Sequence, residues 1–451
     1  MLTFAQTSKS IKMNKFKILY FALPLLVACS SESVDLKIDD APQQTASTTI
    51  RSVDDALIFA EQASNLLEPT SRSARAVCAN DIYVATSAHS RSHNVKSDTL
   101  YYVINYEDDM GCAIISANPT LPPILGVTEK GSSKDLLDTE NQGAQLIMTA
   151  LNNYVTAESA IIPIDPPIGQ LPITPWFVTD TIYVFQPDSK RLKVNWGQDW
   201  PENIYCENHF AGCGPIAVAQ MITYLESLNG TINLTFPLKD QKTLTLNWDE
   251  IRKHGRSGHS ATDYQNCTAS EEAHKNIGRF VRQIGQVIGT DYVTYSYGSG
   301  TLLGSIMAKF NSVFHRTSYV YGCNFIEGET VELYNRLNSD CIALISGNIP
   351  GYSFQHLWVV DGRAKIGYRV IDKKWVAPSD GIGSGYWEEI DCREEVYENY
   401  LHHNWGWRGY SNGYFLESLI SPSEGCHYDY PGDVVSEDYP QVLIEYFIFK
   451  K

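Results

Sequence analysis

The sequence is short of positive charge: 35 Lys and Arg stand against 52 Asp and Glu, a formal net charge of -17. It also has no Lys/Arg run interleaved with aromatics. A chain of this kind has no field with which to follow a nucleic-acid backbone, and nucleic acid is excluded as a partner. The apolar stretch from Ile18 to Val27 is too short to cross a bilayer as a helix. No C-x-x-C pair and no H-E-x-x-H helix occurs, so the compact spacings that hold zinc are missing. No metal and no other cofactor is expected. What the chain does have is length: 451 residues, 43% of them hydrophobic, can bury more than one core, and two domains are the expectation.

Lys12, Lys15 and Lys17 precede the apolar stretch, which marks residues 1–29 as a targeting segment outside the fold, with Met13 a possible true start. The segment ends in Leu26-Val27-Ala28-Cys29-Ser30-Ser31, which resembles a bacterial lipobox. Such a box implies acylation of Cys29 and a protein exported to the bacterial cell envelope, held at a membrane by its N-terminal lipid. Residues 30–50 are rich in Ser, Thr, Asp and Gln and read as a tether.

Folding begins at residue 51. Ser52 followed by Asp55 is a helix start, and Val53, Ala56, Ala60, Ala63 and Leu67 recur at spacings of three and four, which predicts an amphipathic helix. Leu100 to Tyr106, Cys112 to Ala117 and Ile124 to Val127 are β-rich runs separated by turns, a hairpin with a third strand. Five prolines between Pro163 and Pro175 mark an extended interdomain stretch. The expected organisation is a first domain over 51–165, a linker with a cleavage region over 166–190, and a second domain over 191–451. Lys190, Arg191 and Lys193 at the linker's end are either an exposed site for proteolysis or a solvated charge cluster.

Three segments carry candidate chemistry. In Gly212-Cys213-Gly214-Pro215 a helix opens just after the cysteine, with Pro215 suited to its first turn. A thiol there feels the positive end of the helix dipole, which favours the thiolate. His356 opens the strand Leu357-Trp358-Val359-Val360, after a Gly/Pro loop and beside Gln355. Asn404 precedes Trp405-Gly406-Trp407, where an amide could fix the tautomer of a histidine and the indoles could shield that bond or simply fill a core. With Gln198, these residues fall in the chain order Gln, Cys, His, Asn.

That order, with the strings W-x-Q-x-x-P, G-C-G-P-x-A-x-A-Q-M, H-L-W-V-V-D-G and Y-L-H-x-N-W-G-W, resembles the streptopain family of papain-like cysteine peptidases. The resemblance covers residue 50 to the C-terminus. It implies an α+β architecture, with an inhibitory helix-on-sheet prodomain ahead of a papain-like domain of helical and antiparallel β subdomains. It also implies a secreted endopeptidase zymogen acting on polypeptides, inhibited by its own prodomain, with Cys213 as nucleophile, His356 as base, Asn404 orienting His356, and Gln198 as oxyanion donor. Trp405, Trp407 and Gln355 would support the cleft. The chain departs from the family at Gly214-Pro215, at Gln355 and at Arg408, the last standing where the family has glycine. The same groups could serve a Cys/His acyltransferase, or the fold could persist in a silent surface-binding lipoprotein. Besides Cys29 and Cys213 eight cysteines remain, an even number that permits disulfides in an oxidising compartment, while isolated buried thiols are as ordinary. Oxidation of Cys206, seven residues before Cys213, or of Cys213 itself would disable the thiolate, so a reducing environment is expected.

Overall fold

The computed structural model describes residues 50–67, 75–86, 99–138, 140–160, 177–188, 190–207, 209–227, 233–234, 244–256, 269–292, 300–301, 305–306, 323–324, 329–337, 341–348, 355–376, 386–420 and 443–450. Cys29, the lipobox and the tether up to residue 49 lie outside these residues.

Helix α1 (Val53–Ala63) starts at a capping box, in which the Ser52 hydroxyl accepts the Asp55 N–H and the Asp55 carboxylate receives the Ser52 N–H. Its buried residues Ala56, Ala60 and Ala63 fall on one face, and their small size lets the helix lie close on a sheet. That sheet begins with β1 (Val77–Thr86), β2 (Thr99–Tyr106), β3 (Cys112–Ser116) and β4 (Ile124–Thr128), paired antiparallel in order. Both faces are covered, as alternation along β2 shows. The Tyr102 hydroxyl donates to the Arg51 carbonyl at the start of α1, whereas that of Tyr101 donates to Asn152 on α3 (Gln142–Ala160). A short helix, α2 (Ser133–Leu136), precedes α3.

The stretch expected to be linker divides. Residues 161–176 lie outside the described residues, but Phe177–Pro187 forms strand β5. Next comes α4 (Cys213–Ser227), then the small hairpin β6 (Asn233–Leu234) and β7 (Leu244–Thr245), α5 (Trp248–Arg256) and α6 (Glu271–Ile288). Ser270 caps α6 by accepting the Ala273 N–H, and Gly289 ends it at φ 76, a left-handed backbone that glycine adopts without strain. The second half supplies β8 (Cys323–Asn324), the helix Glu329–Arg336, β9 (Cys341–Asn348), β10 (Gln355–Val376), β11 (Tyr386–Asn404), β12 (Gly413–Leu416) and β13 (Leu443–Lys450).

One sheet runs through both halves in the order β1-β2-β3-β4-β12-β11-β10-β9-β13-β8, with β5 joined to β10 beyond β9. The seam is β12 on β4, where Gly413, Tyr414 and Phe415 face Thr128, Val127 and Gly126. Two cores flank the second half of the sheet. Trp358, Val360, Ala343 and Ile345 lie in the core shared with α1 and α3, and the alternate residues Leu357, Val359, Ile342 and Leu344 lie in the core of α4 and α6. No helix among the described residues is long and apolar enough to cross a membrane.

The seam fits only because two glycines stand in it. A Cβ on Gly413 would come within 2.0 Å of the Val127 carbonyl oxygen, and one on Gly126 within 2.7 Å of the Phe415 ring. Gly413→Ala should push β4 off β12 and destabilise the full chain by about 1–3 kcal/mol, read as a lowered thermal midpoint. An unchanged midpoint would mean that the seam yields freely.

Candidate active site

Cys213 is the first residue of α4, and its thiol is buried. Burial pushes the thiol pKa up, and the backbone N–H groups of Leu357, Gly214 and Cys213 itself act against that by hydrogen-bonding the sulfur. Gln198 is half-buried, and its carbonyl accepts the N–H of Ala211 at 2.9 Å, two residues before the thiol.

His356 lies near the start of β10, paired across from Gly347 on β9, and is 0% exposed. Its ring stacks on Trp358 two residues along the same strand face, with centroids 5.9 Å apart and planes 12° apart. Nε2 sits 2.9 Å from the Trp405 carbonyl oxygen, while Nδ1 has no hydrogen-bond partner among the described residues. A carbonyl can only accept, so Nε2 carries the proton and Nδ1 keeps its lone pair. Burial, only partly opposed by that carbonyl, lowers the pKa to about 4 and holds the ring neutral. Among the described residues no hydrogen bond joins Cys213 to His356. The thiol touches the Leu357 N–H, and the imidazole lies on the face of Trp358.

The expected role of Asn404 is not what the structure places there. Its Oδ1 accepts from Gln220 Nε2 on α4 and from the Gly406 N–H, each at 3.2 Å, and its Nδ2 reaches the Val194 carbonyl at 3.3 Å. The side chain is fully committed to joining α4 and the segment before it to the end of β11. The Trp405 carbonyl, one residue on, takes the histidine instead. Gln220 completes the brace, since its Oε1 accepts the Trp196 N–H at 3.0 Å. Seven residues after Cys213, it falls two turns along α4 on the same face, a spacing visible in the sequence. Trp405 is itself locked, its backbone N–H on Asn412 Oδ1 at 2.9 Å and its indole N–H on the Ser411 carbonyl at 2.8 Å. Trp407 is half-buried against the same core. Gln355 opens β10 opposite Asn348.

The segment 50–160 reaches this site in two places. At the first turn of α3, Gly143 lies so close to the Trp405 indole that a Cβ there would come within 2.6 Å, and Leu146 packs near Gly347 and Trp358. Beside the seam, Glu129 enters a partly buried ion cluster: Lys190 Nζ donates to both its oxygens at 2.6 and 2.7 Å, and His402 Nε2 lies 3.3 Å from it. His402 Nδ1 is 2.6 Å from Asp361, whose other oxygen accepts the Leu192 N–H at 2.7 Å. Burial works against the charge on His402, but Asp361 and Glu129 together raise its pKa to about 9. Burial likewise opposes the charge on Glu129, yet His402 and Lys190 hold its carboxyl well below the usual range. Of the basic cluster read as either an exposed cleavage site or a solvated charge cluster, Lys193 is exposed while Lys190 and Arg191 are tied into the fold. Lys190 is paired, and the Arg191 N–H donates to the Asp361 carbonyl at 3.0 Å. Among the described residues no disulfide joins Cys78, Cys112, Cys206, Cys213, Cys341 or Cys392.

A buried thiol at a helix N-terminus and a buried histidine on a neighbouring strand, in a helical layer packed on an antiparallel sheet, are the features of a papain-like cysteine peptidase architecture. Residues 194–415 belong to the Peptidase C10 family, the streptopain family, and residues 49–155 match the Spi protease inhibitor family. The chain is thus a cysteine peptidase with an inhibitor-type prodomain, a zymogen. No curated protein matches it.

The ion cluster makes the zymogen's stability depend on pH. The folded pKa of His402 is raised, so its contribution is fully present below the unfolded value near 6.5 and is lost as pH climbs through about 9. Glu129→Gln removes one of the two carboxylates, so the alkaline fall in melting midpoint of the full chain, which starts from the same unfolded value, should be smaller and complete at lower pH than in wild type. Superimposable pH profiles would show that Glu129 does not hold the proton on His402.

Proposed function

We propose that this protein is an exported cysteine endopeptidase in which Cys213 is the nucleophile and His356 its base. The observation that carries the reading is the thiol at the N-terminus of α4 ringed by three backbone N–H groups, next to a histidine whose Nε2 is tied to a carbonyl so that Nδ1 is left as the proton acceptor. In the active form Nδ1 takes the thiol proton and the sulfur attacks a peptide carbonyl. The imidazolium then protonates the departing amine, and water releases the acyl-enzyme. The Cys213 N–H and the Gln198 amide are the donors for the oxyanion. Neutral, stacked on Trp358 and unbonded to the thiol, His356 is at rest in the zymogen. The contact of α3 with Trp405 and Trp358 supports the prodomain as what holds it there, and turning the ring toward the sulfur brings the two groups into coupled titration.

Casein hydrolysis by the activated protein should fall by at least about 10⁴-fold in Cys213→Ala and His356→Ala, and by about 10²-fold in Gln198→Ala. Labelling of Cys213 by a thiol-directed epoxide such as E-64 without hydrolysis would favour acyl transfer. Neither labelling nor hydrolysis would favour a binding lipoprotein.

The basic, apolar and Ala28-Cys29 pattern of the first residues supports export and lipidation at Cys29, with the catalytic domain freed from the anchor when the chain is cut between the prodomain and β5. Cell fractionation should find the zymogen in the membrane pellet and the activated enzyme in the supernatant. An activated fragment that stays in the pellet overturns release.

A further inference from the structure

Arg408, which stands where the family has glycine, has a backbone φ of 59, in the left-handed region that glycine adopts freely and other residues resist. The side chain that replaces glycine's freedom lies across the strip of chain carrying Gln198. Its Nη2 donates to the Trp200 carbonyl at 3.2 Å and pairs with Asp199 at 3.1 Å. Its backbone N–H donates to the Trp196 carbonyl at 3.1 Å. Between these two points the arginine passes over Gly197, where a Cβ would fall 2.5 Å from Arg408 Cγ. Any side chain at 197 would expel it.

The carbonyls of residues 196, 198 and 200 are thus held alternately. Those of Trp196 and Trp200 are held by Arg408, and that of Gln198 by Ala211 in the loop leading to Cys213. The Trp200 ring, edge-on to His274 with centroids 4.7 Å apart, fixes the far end on α6. Asp199 is 61% exposed, so the ion pair by itself is worth little. The arrangement depends on the planar guanidinium spanning a carboxylate and a carbonyl while its stem packs on Gly197. It grips the segment from the loop that follows Trp405, the residue whose carbonyl holds His356.

We propose that Arg408 is a positioning residue that fixes Gln198 beside Cys213, so that the oxyanion formed on the substrate carbonyl meets a preset donor; this rests on the roles given above to Gln198 and Cys213. The arginine touches no reacting atom and acts through the segment it clamps.

Arg408→Gly is the test, because glycine accepts the left-handed backbone and removes only the side chain. Two reactions are measured on the activated protein: hydrolysis of a peptide amide, which passes through an oxyanion, and alkylation of Cys213 by iodoacetamide, which does not. The expected result is a kcat about ten-fold lower with KM nearly unchanged, the loss of part of one donor's effect, while the alkylation rate stays at the wild-type value. In a Gln198→Ala background the same substitution should cause no further loss, since residues acting through one group are non-additive. Equal kcat in wild type and Arg408→Gly, a fall in alkylation as large as the fall in kcat, or full additivity with Gln198→Ala would each overturn the role of Arg408. A wild-type protein alkylated at Cys213 that hydrolyses no peptide would overturn that role together with the peptidase reading.

Discussion

Three residues of β12 hydrogen-bond to β4 across a seam in which Gly413 leaves room for the Val127 carbonyl, and through this contact prodomain and peptidase share one sheet. Backbone pairing of this kind needs no particular side chains, but it does need an edge, and β12 supplies one that would otherwise stand open. Around the seam the other contacts between the two parts fall into place. Glu129, one residue past β4, reaches Lys190 and His402, and α3 lies with its first turn on Trp405. Separation of the prodomain therefore undoes backbone pairing, a partly buried ion cluster and an aromatic contact in one event. Of these the ion cluster is the most demanding, because taking Glu129 away leaves the buried His402 with Asp361 alone.

A second constraint sits in β10. Adjacent residues of a strand face opposite ways, and here the two faces belong to different cores. Leu357 joins the core of Cys213, while His356 and Trp358 join the core shared with the prodomain. The backbone N–H of Leu357 can reach the sulfur where the neighbouring imidazole does not. The site thus has a thiol whose pKa burial raises and an imidazole that burial holds neutral, on separate elements and with no hydrogen bond between them among the described residues.

Much of the fold was readable from pattern. The Ser52 and Asp55 pair marks the start of α1, and its alanines at spacings of three and four mark the buried face. The runs at Leu100, Cys112 and Ile124 are β2, β3 and β4, and the helix opening at Cys213 and the strand opening at His356 are where local chemistry put them. The site was less readable at its second layer. Asn404 is the right residue type to hold a histidine, yet it braces α4 through Gln220, and the histidine goes to the carbonyl of Trp405. Any residue offers a carbonyl, so no side-chain pattern could have named that one.

The sequence by itself determined the elements, the order of the reactive groups and the presence of two unlike halves, because helix caps, hydrophobic periodicity and turn residues act over a few positions. Only the tertiary structure decided that Phe177–Pro187 is a strand and not a free linker, that Lys190 is paired and not open, and that Arg408 clamps the segment of Gln198. Each of these depends on a partner far away in the chain: β10 for the strand, Glu129 for the lysine, Trp200 for the arginine. A hydrogen bond or ion pair between such distant residues leaves no mark on the local sequence of either one, and it exists only once the sheet has brought them within about 3 Å.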